Sequence, residues 1–298
     1  MNCSRPIAGL LATSRVANLP SVVCNVWVGV ALASLSGIFV GWLEFVGMAM
    51  AGVMLCLGGN FLNDWADVMW DRQFRAERAL PRADFSRSVY GWIAIGFLLL
   101  GCVLAFAVSS ASGWVAVAII ISILAYTYWH KRSPWAVLAM GTCRGLLPIM
   151  GAAAVWPAAV FSAAAALLCY IAMLSWSARR EASGAVGKHP LFGFGVVILL
   201  TLFCQRFDFA EMMIWLIAVV VFGGWLHHAR KNLSHSISRY VASLLAGIPW
   251  VDGMILWPLA WHTMHQENIP LALVLCCWMM PAAAWSLACL FQRIAPAT

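Results

Sequence analysis

Aspartate and asparagine side chains recur at helical spacing in the second quarter of the chain. Asn60, Asp64, Asp67 and Asp71 are separated by four, three and four residues, which places them on one face of an α-helix, and Asn63 flanks that face. Carboxylates this close repel one another, and burying them near lipid is costly. A divalent cation relieves both problems, and an all-oxygen set of Asp and Asn suits Mg²⁺, which commonly bridges to substrate phosphates. The spacing therefore predicts a Mg²⁺ site on this face.

The loop after the aspartates is rich in arginine. Five arginines lie within residues 72–87, and the planar fork of arginine binds phosphate oxygens. A Mg²⁺ site beside these arginines indicates a site for a diphosphate. An alternative stays open for single residues, because charges at a helix end are common and Asp71 could form an ordinary solvated pair with Arg72 or Arg75.

The composition shows what surrounds this helix. The chain has 298 residues, of which 63% are hydrophobic and 10% charged, and its mean hydropathy is +0.88. A soluble globular chain carries about 25% charged residues, so most of this surface must face lipid. We predict an all-α, polytopic transmembrane helical bundle of about nine to ten spans, at roughly 20 residues each, in a single domain over residues 1–298. The ten apolar stretches are 21–41, 45–66, 89–109, 113–129, 134–155, 158–177, 191–205, 210–227, 239–261 and 270–291.

The positions of lysine and arginine predict the orientation. Nearly all of the 18 basic residues fall on one side of the bundle that these stretches define; the other side carries only Arg206, and Arg144 lies inside a span. Basic residues favour the cytoplasmic face. We therefore predict a multi-pass protein of the inner (cytoplasmic) membrane with its site facing the cytoplasm. The formal charge of +7 follows from this asymmetry and favours anionic headgroups or substrates, so no nucleic-acid partner is expected.

Several motifs together resemble one family of membrane enzymes. Residues 63–71 match the pattern Asn-Asp-x-x-Asp-x-x-x-Asp, which is the first aspartate-rich motif of the UbiA superfamily of intramembrane prenyltransferases. The other matching positions extend over nearly the whole chain: Arg15, Asn18-Leu19-Pro20, Asn25 and Gly29; Glu77 to Pro81, with Ala79 in place of a proline; and Lys131 and Gly141 to Leu146.

The resemblance implies a reaction and its partners. A UbiA-type prenyltransferase uses Mg²⁺ to transfer a prenyl group from an isoprenoid diphosphate to a lipophilic acceptor, aromatic or lipid, within the membrane. It keeps the hydrocarbon tail in a cavity open to membrane lipid. By this resemblance the metal is expected at Asp64, Asp67 and Asp71, which with Glu181 are the catalytic residues, and the diphosphate at Asn18, Asn63, Arg78, Lys131, Arg144 and Arg179.

The second half of the expected site departs from the family pattern. Family members carry a second aspartate-rich motif after the sixth span, and here Ser175 to Glu181 offers one acid where two are expected. This stretch resembles an Ala-Arg-x-Glu variant of a bacterial, EboC-like subgroup, which also has an aspartate in a late span, here Asp252. An alternative function is therefore binding or transport of a prenylated lipid or precursor without transfer. An unrelated transporter with Arg144 and Asp252 on its pathway is a further alternative, although the two halves show no repeat.

Overall fold

The computed structural model describes residues 4–37, 39–76, 78–153, 155–181, 191–206, 208–264, 266 and 269–294. Helices form the regular structure of these residues, with one short 3₁₀ turn at Val16–Asn18. The helices are α1 (Ser4–Ser14), α2 (Leu19–Ser34), α3 (Trp42–Phe74), α4 (Arg87–Val108), α5 (Ser110–Trp129), α6 (Ala136–Gly151), α7 (Ala158–Glu181), α8 (Leu191–Leu202), α9 (Phe209–Leu233), α10 (Ile237–Ala246), α11 (Ile248–Met264) and α12 (Leu271–Ile294). The predicted all-α class is confirmed.

The helices also account for the predicted membrane spans. Eight helical segments of the described chain are long and apolar enough to cross a membrane, with α1–α2 and α10–α11 each taken as one segment, and α6 and α8 are shorter apolar helices. These segments correspond in order to the ten predicted stretches. Two boundaries differ: α2 ends at Ser34 before a turn in which Gly37 has a positive φ of 82°, and α3 continues to Phe74. The helix α3 is longer than its apolar stretch because residues 67–74 include neither glycine nor proline.

Helix α2 lies at the centre of the bundle. All of its residues from Cys24 to Ser34 are buried, and it packs against α3, α6, α11 and α12. Glycines bring α2 and α6 together backbone to backbone, because a Cβ atom at Gly29 would overlap the carbonyl oxygen of Pro148 and one at Gly151 would overlap that of Val26. Close approach through small residues is the usual way in which helices associate within membranes.

A turn between α1 and α2 directs an arginine toward α3. Arg15 has φ 47° and ψ 49°, in the left-handed region, so the chain leaves the direction of α1 there. Pro20 then lies in the first turn of α2. Backbone N–H groups there make no hydrogen bond within the helix, so the missing N–H of proline costs nothing. The result is that Arg15 donates a hydrogen bond from Nη1 to Oδ1 of Asn60, at 3.0 Å, on the acidic face of α3.

Candidate functional site: a basic cavity at the end of α3

The three aspartates of α3 lie on one face and are all buried. Asp64, Asp67 and Asp71 are 6%, 8% and 1% exposed, which confirms the helical spacing that the sequence predicts. Asp64 accepts from Arg15 at 3.3 Å and from Arg78 at 3.4 Å, and Arg78 also donates to Asp71 at 2.9 Å. Arg78 therefore bridges two turns of the same helix, and the loop after α3 folds back onto the acidic face.

Asp67 has its own set of partners on the loop between α5 and α6. Lys131 forms an ion pair with its Oδ1, the Nε2 atom of His130 lies 3.1 Å from the same oxygen, and Asn63 donates to Oδ2 at 3.4 Å. The Nδ1 atom of His130 lies 3.1 Å from the carbonyl oxygen of Thr127. Lys131 and His130 thus both contact Asp67 from this loop.

A cavity of about 700 Å³ opens beside this face. Its basic lining residues are Arg15, Arg75, Arg78, His130, Lys131, Arg144 and Arg179, and its acidic ones are Asp67 and Asp71. Cations outnumber carboxylates, so the cavity favours an anion. The apolar lining residues on α7, α10 and α11 are Ile171, Leu174, Val241, Leu245 and Ile248. The cavity can therefore hold a ligand with a highly charged group and a hydrocarbon part.

The oxygen atoms of the cavity fit a Mg²⁺ ion. Oδ1 of Asn63 and Oδ1 of Asp71 are buried and have no hydrogen-bond partner, and both residues line the cavity. A buried oxygen without a donor is costly, and a hard cation would satisfy both atoms. The described residues contain no group of three or more Asp, Glu, His or Cys side chains that could share one ion. The three predicted ligands thus share a face but do not meet at one point, which suits Mg²⁺ because it takes one or two carboxylates with waters and phosphates.

Arg144 enters the site from α6, as expected, and is held by α2. Its Nη1 donates to Oγ of Ser21 at 3.1 Å and to Oδ1 of Asn25 at 3.0 Å, and its Nη2 donates to the carbonyl oxygen of Asn18 at 3.3 Å. The amide of Asn25 donates in turn to both carboxylate oxygens of Asp252, at 2.9 and 2.8 Å. A hydrogen-bonded chain therefore links Arg144 to a carboxylate buried on α11.

Arg179 lies at the cavity but makes contacts different from those expected of a diphosphate ligand. Its Nη1 donates to the carbonyl oxygens of His130 and Ser133. Arg179 thereby connects the end of α7 to the loop that carries His130 and Lys131. Helix α7 ends at Glu181, whose side chain lies outside the described residues, so its expected catalytic role stays a prediction.

The other expected residues meet at the cavity. Asn18, Asn63, Arg78, Lys131 and Arg144 all line it, whereas Asp64 faces Arg15 and Arg78 and does not. The oxygen Oδ1 of Asn18 is buried without a partner, so it can accept from a ligand.

Sequence reasoning missed His130, although its position next to Lys131 at the end of a span was a usable signal. Arg15 and Asn25 were matched to the family motif without a role, and Asn60 was expected on the Mg²⁺ face, where it accepts a hydrogen bond from Arg15.

Helices and cavity together define a multi-pass integral membrane protein with a basic, amphipathic binding site at one end of its bundle. Residues 22–235 match the model of the UbiA prenyltransferase family, and the chain belongs to that family. This confirms the resemblance carried by the motif at residues 63–71. Members of the family are prenyltransferases.

Curated proteins are similar to parts of this sequence, and a solved structure is similar in fold. Protoheme IX farnesyltransferase 1 of Lysinibacillus sphaericus is 29% identical over 164 residues, covering 53% of this chain and 52% of that protein. Digeranylgeranylglyceryl phosphate synthase of Thermococcus gammatolerans is 31% identical over 136 residues, covering 42% of this chain and 49% of that protein. The chain thus spans about half the length of the curated relatives it matches. The solved apo structure of a UbiA homolog from Aeropyrum pernix has a TM-score of 0.51 at 14% identity, over 90% of this chain and 97% of that one, which shows the common fold.

Proposed function

We propose that the protein transfers a prenyl group from an isoprenoid diphosphate to a lipophilic acceptor within the membrane, with Mg²⁺ as cofactor. One observation carries the proposal: the buried aspartates of α3 adjoin a cavity of about 700 Å³ that is lined by both basic and apolar side chains. The matched relatives support it, since one is named a farnesyltransferase and the other a synthase of a digeranylgeranyl lipid. We further propose that the basic end faces the cytoplasm of the inner membrane, because basic residues favour that side.

The side chains of the cavity have separable tasks in this reaction. Asp67, Asp71 and the free oxygen of Asn63 would hold Mg²⁺, which supplies positive charge for the phosphate oxygens. Arg78, Lys131 and Arg144 bind the remaining phosphate oxygens. When the bond between C1 of the prenyl group and the diphosphate oxygen breaks, both electrons leave with the diphosphate, and these fixed cations stabilise the charge that develops there.

The apolar lining residues have the complementary task. Ile171, Leu174 and Leu245 line the same cavity as the cations, where they can hold the acceptor and keep water from the allylic cation. The acceptor then forms the new bond at C1 and gives up a proton, which the released diphosphate can take. Atoms and charge balance without a further reactant.

A carrier function is the second candidate, because the end of α7 carries one acid, Glu181, where family members carry two. A site with a weakened second half could bind a prenylated diphosphate without supporting its ionisation. The two functions differ in one measurable property, because only the enzyme would transfer the prenyl group to an acceptor.

The deciding experiment uses the purified protein in lipid nanodiscs with radiolabelled isoprenoid diphosphates, Mg²⁺ and candidate acceptor extracts. We expect Mg²⁺-dependent transfer that falls by about 100-fold or more in Asp71→Asn, the range seen when a group that stabilises developing charge is removed. Asp84→Asn is the matched control, because Asp84 lies on the neighbouring loop and pairs with Arg82 outside the cavity. Tight diphosphate binding without transfer would favour the carrier, and the absence of any diphosphate binding would reject both functions.

A further inference from the structure

Trp70 lies next to Asp71 near the end of α3, and its side chain lines the basic cavity. The indole is partly buried, and the ring of Phe74, one turn further along the helix, packs against it with 4.7 Å between the ring centroids. An indole offers no oxygen ligand for Mg²⁺ and no charge for a phosphate group. Its place among the ligands of a charged substrate therefore needs another explanation.

Two cations of the cavity lie over this ring. Nζ of Lys131 is 4.9 Å from the ring centroid of Trp70, and Cζ of Arg75 is 6.0 Å from it. Both distances fall within the range over which the face of an indole attracts a cation. Lys131 belongs to the loop between α5 and α6, whereas Arg75 directly follows α3. The ring therefore gathers positive charge from two segments of the chain at one edge of the cavity.

Lys131 depends on α3 for its position. Within the part of the chain that the structure describes, its ammonium has one ion pair, with Asp67, and one ring contact, with Trp70. Asp67 and Trp70 are three residues apart and lie on the same side of the helix. A lysine ammonium is carried on a flexible four-carbon stem. The carboxylate and the ring together therefore determine where this charge lies.

The carboxylate and the ring respond differently to a metal ion. In the proposed function Asp67 holds Mg²⁺, and its oxygen atoms then attract the ammonium of Lys131 less strongly. Mg²⁺ takes oxygen ligands, so it does not compete for the face of the Trp70 ring. The ring contact therefore remains available to Lys131 in the state that binds a diphosphate.

We propose that Trp70 is a positioning residue for the diphosphate: its ring holds the ammonium of Lys131 at the phosphate site once Asp67 has bound Mg²⁺. Trp70 acts through Lys131 and does not touch the bond that breaks. The proposal rests on the proposed function, because it requires Mg²⁺ and a diphosphate at this site. Arg75 lies farther from the ring centroid, so its share of the effect is smaller.

Calorimetry of inorganic diphosphate in the presence of Mg²⁺, on the full chain in lipid nanodiscs, tests this role. Trp70→Leu should weaken diphosphate binding by about 5- to 30-fold, which is the range of a cation–π contact from which water is partly excluded. Trp70→Phe should recover part of the affinity, because a phenyl ring keeps a face that attracts a cation. Equal affinity of Trp70→Leu and the wild type would overturn the proposal.

Lys131→Met distinguishes positioning of the lysine from general support of the helix. In the Lys131→Met background, Trp70→Leu should change the affinity for inorganic diphosphate by less than about twofold, because the ring then has no ammonium to hold. An equal loss in both backgrounds would show that Trp70 acts independently of Lys131 and would contradict the proposal. If Trp70→Leu does not fold, Trp70→Met gives the same comparison, because methionine fills much of the space without a ring face.

Trp65→Leu is the matched control. Trp65 lies on the same helix and has Cζ of Arg87 over its ring at 4.4 Å, and neither of these residues lines the basic cavity. The variant removes the same kind of contact outside the site, so its affinity for diphosphate should equal that of the wild type. A loss as large as that of Trp70→Leu would mean that any ring removed from α3 lowers binding, and the role of Trp70 would be rejected.

The wild type separates the failure of this role from that of the proposed function. If the wild type and Trp70→Leu bind inorganic diphosphate equally well with Mg²⁺, only the role of Trp70 is wrong. If the wild type binds no diphosphate, the proposed function fails and the role of Trp70 fails with it.

Discussion

Replacing Asp252 with alanine tests whether a buried charge network holds Arg144 in place. Asn25 donates to both oxygens of Asp252 at 2.9 and 2.8 Å and accepts from Arg144 at 3.0 Å. Asn25 and Asp252 are both 0% exposed. Water therefore cannot replace the hydrogen-bond partner that the substitution removes. The full cost of the lost hydrogen bonds should lower the free energy of unfolding.

The magnitude follows from what each group loses. The Asn25 amide is left buried without an acceptor, which costs about 1–3 kcal/mol. Arg144 keeps its bond to Oδ1 of Asn25 and makes no direct contact with Asp252, so it loses only the orientation that the carboxylate gives to Asn25. These costs belong to one network and do not add. We therefore expect Asp252→Ala to lower the free energy of unfolding by about 1–3 kcal/mol.

Reversible unfolding by SDS in mixed micelles measures this change. Thr263→Ala is the matched control, because Thr263 is also buried on α11 but donates to the carbonyl oxygens of Leu259 and Ala260 in its own helix. Hydrogen bonds between membrane helices contribute about 0.6 kcal/mol on average and at most about 1.7 kcal/mol. A loss for Asp252→Ala at or below that average of about 0.6 kcal/mol would refute the cost of the buried network.

Two further predictions concern the anchor of the α5–α6 loop and the contact between α2 and α6. Arg179→Ala should weaken diphosphate binding about tenfold, since hydrogen bonds from a charged group contribute about 1.5–3 kcal/mol. It should also speed amide hydrogen exchange in residues 130–135, and Arg179→Lys should recover part of both properties. Unchanged exchange in Arg179→Ala would show that the loop does not depend on this arginine. Gly29→Ala should abolish the folded state in thermal unfolding, because its Cβ atom would overlap the carbonyl oxygen of Pro148. Gly223→Ala should melt like the wild type, because a Cβ atom at Gly223 would have no atom within 4 Å. Equal melting temperatures for the two variants would contradict the close approach of α2 and α6.

The sequence predicted the parts of this structure that depend on local periodicity. Apolar stretches located the helices because every span must be long and apolar. The spacing of Asp64, Asp67 and Asp71 located the acidic face because residues three and four apart share one side of a helix. The arginine-rich loop was correctly associated with this face, and Arg78 makes the connection.

The contact partners of the charged side chains could not be predicted from the sequence in the same way. The contact between Arg15 and Asp64 depends on a left-handed turn at Arg15 itself, and a non-glycine residue gives no local signal for that conformation. The contact between Asn25 and Asp252 joins positions 227 residues apart. Arg179 was expected to bind phosphate because of its charge, but its neighbours in space include two carbonyl groups that no sequence pattern marks.

The ion pairs of the acidic face have a consequence for the order of binding. Asp64 and Asp71 share Arg78, and Asp67 is held by Lys131 and His130. In the proposed function, a metal ion that takes the carboxylates would release the same cations that a diphosphate requires, and a diphosphate that takes the cations would release the carboxylates. Each ligand would then raise the affinity for the other, and by linkage the factor is the same in both directions. The site would respond to the complex of metal and diphosphate more strongly than to either alone.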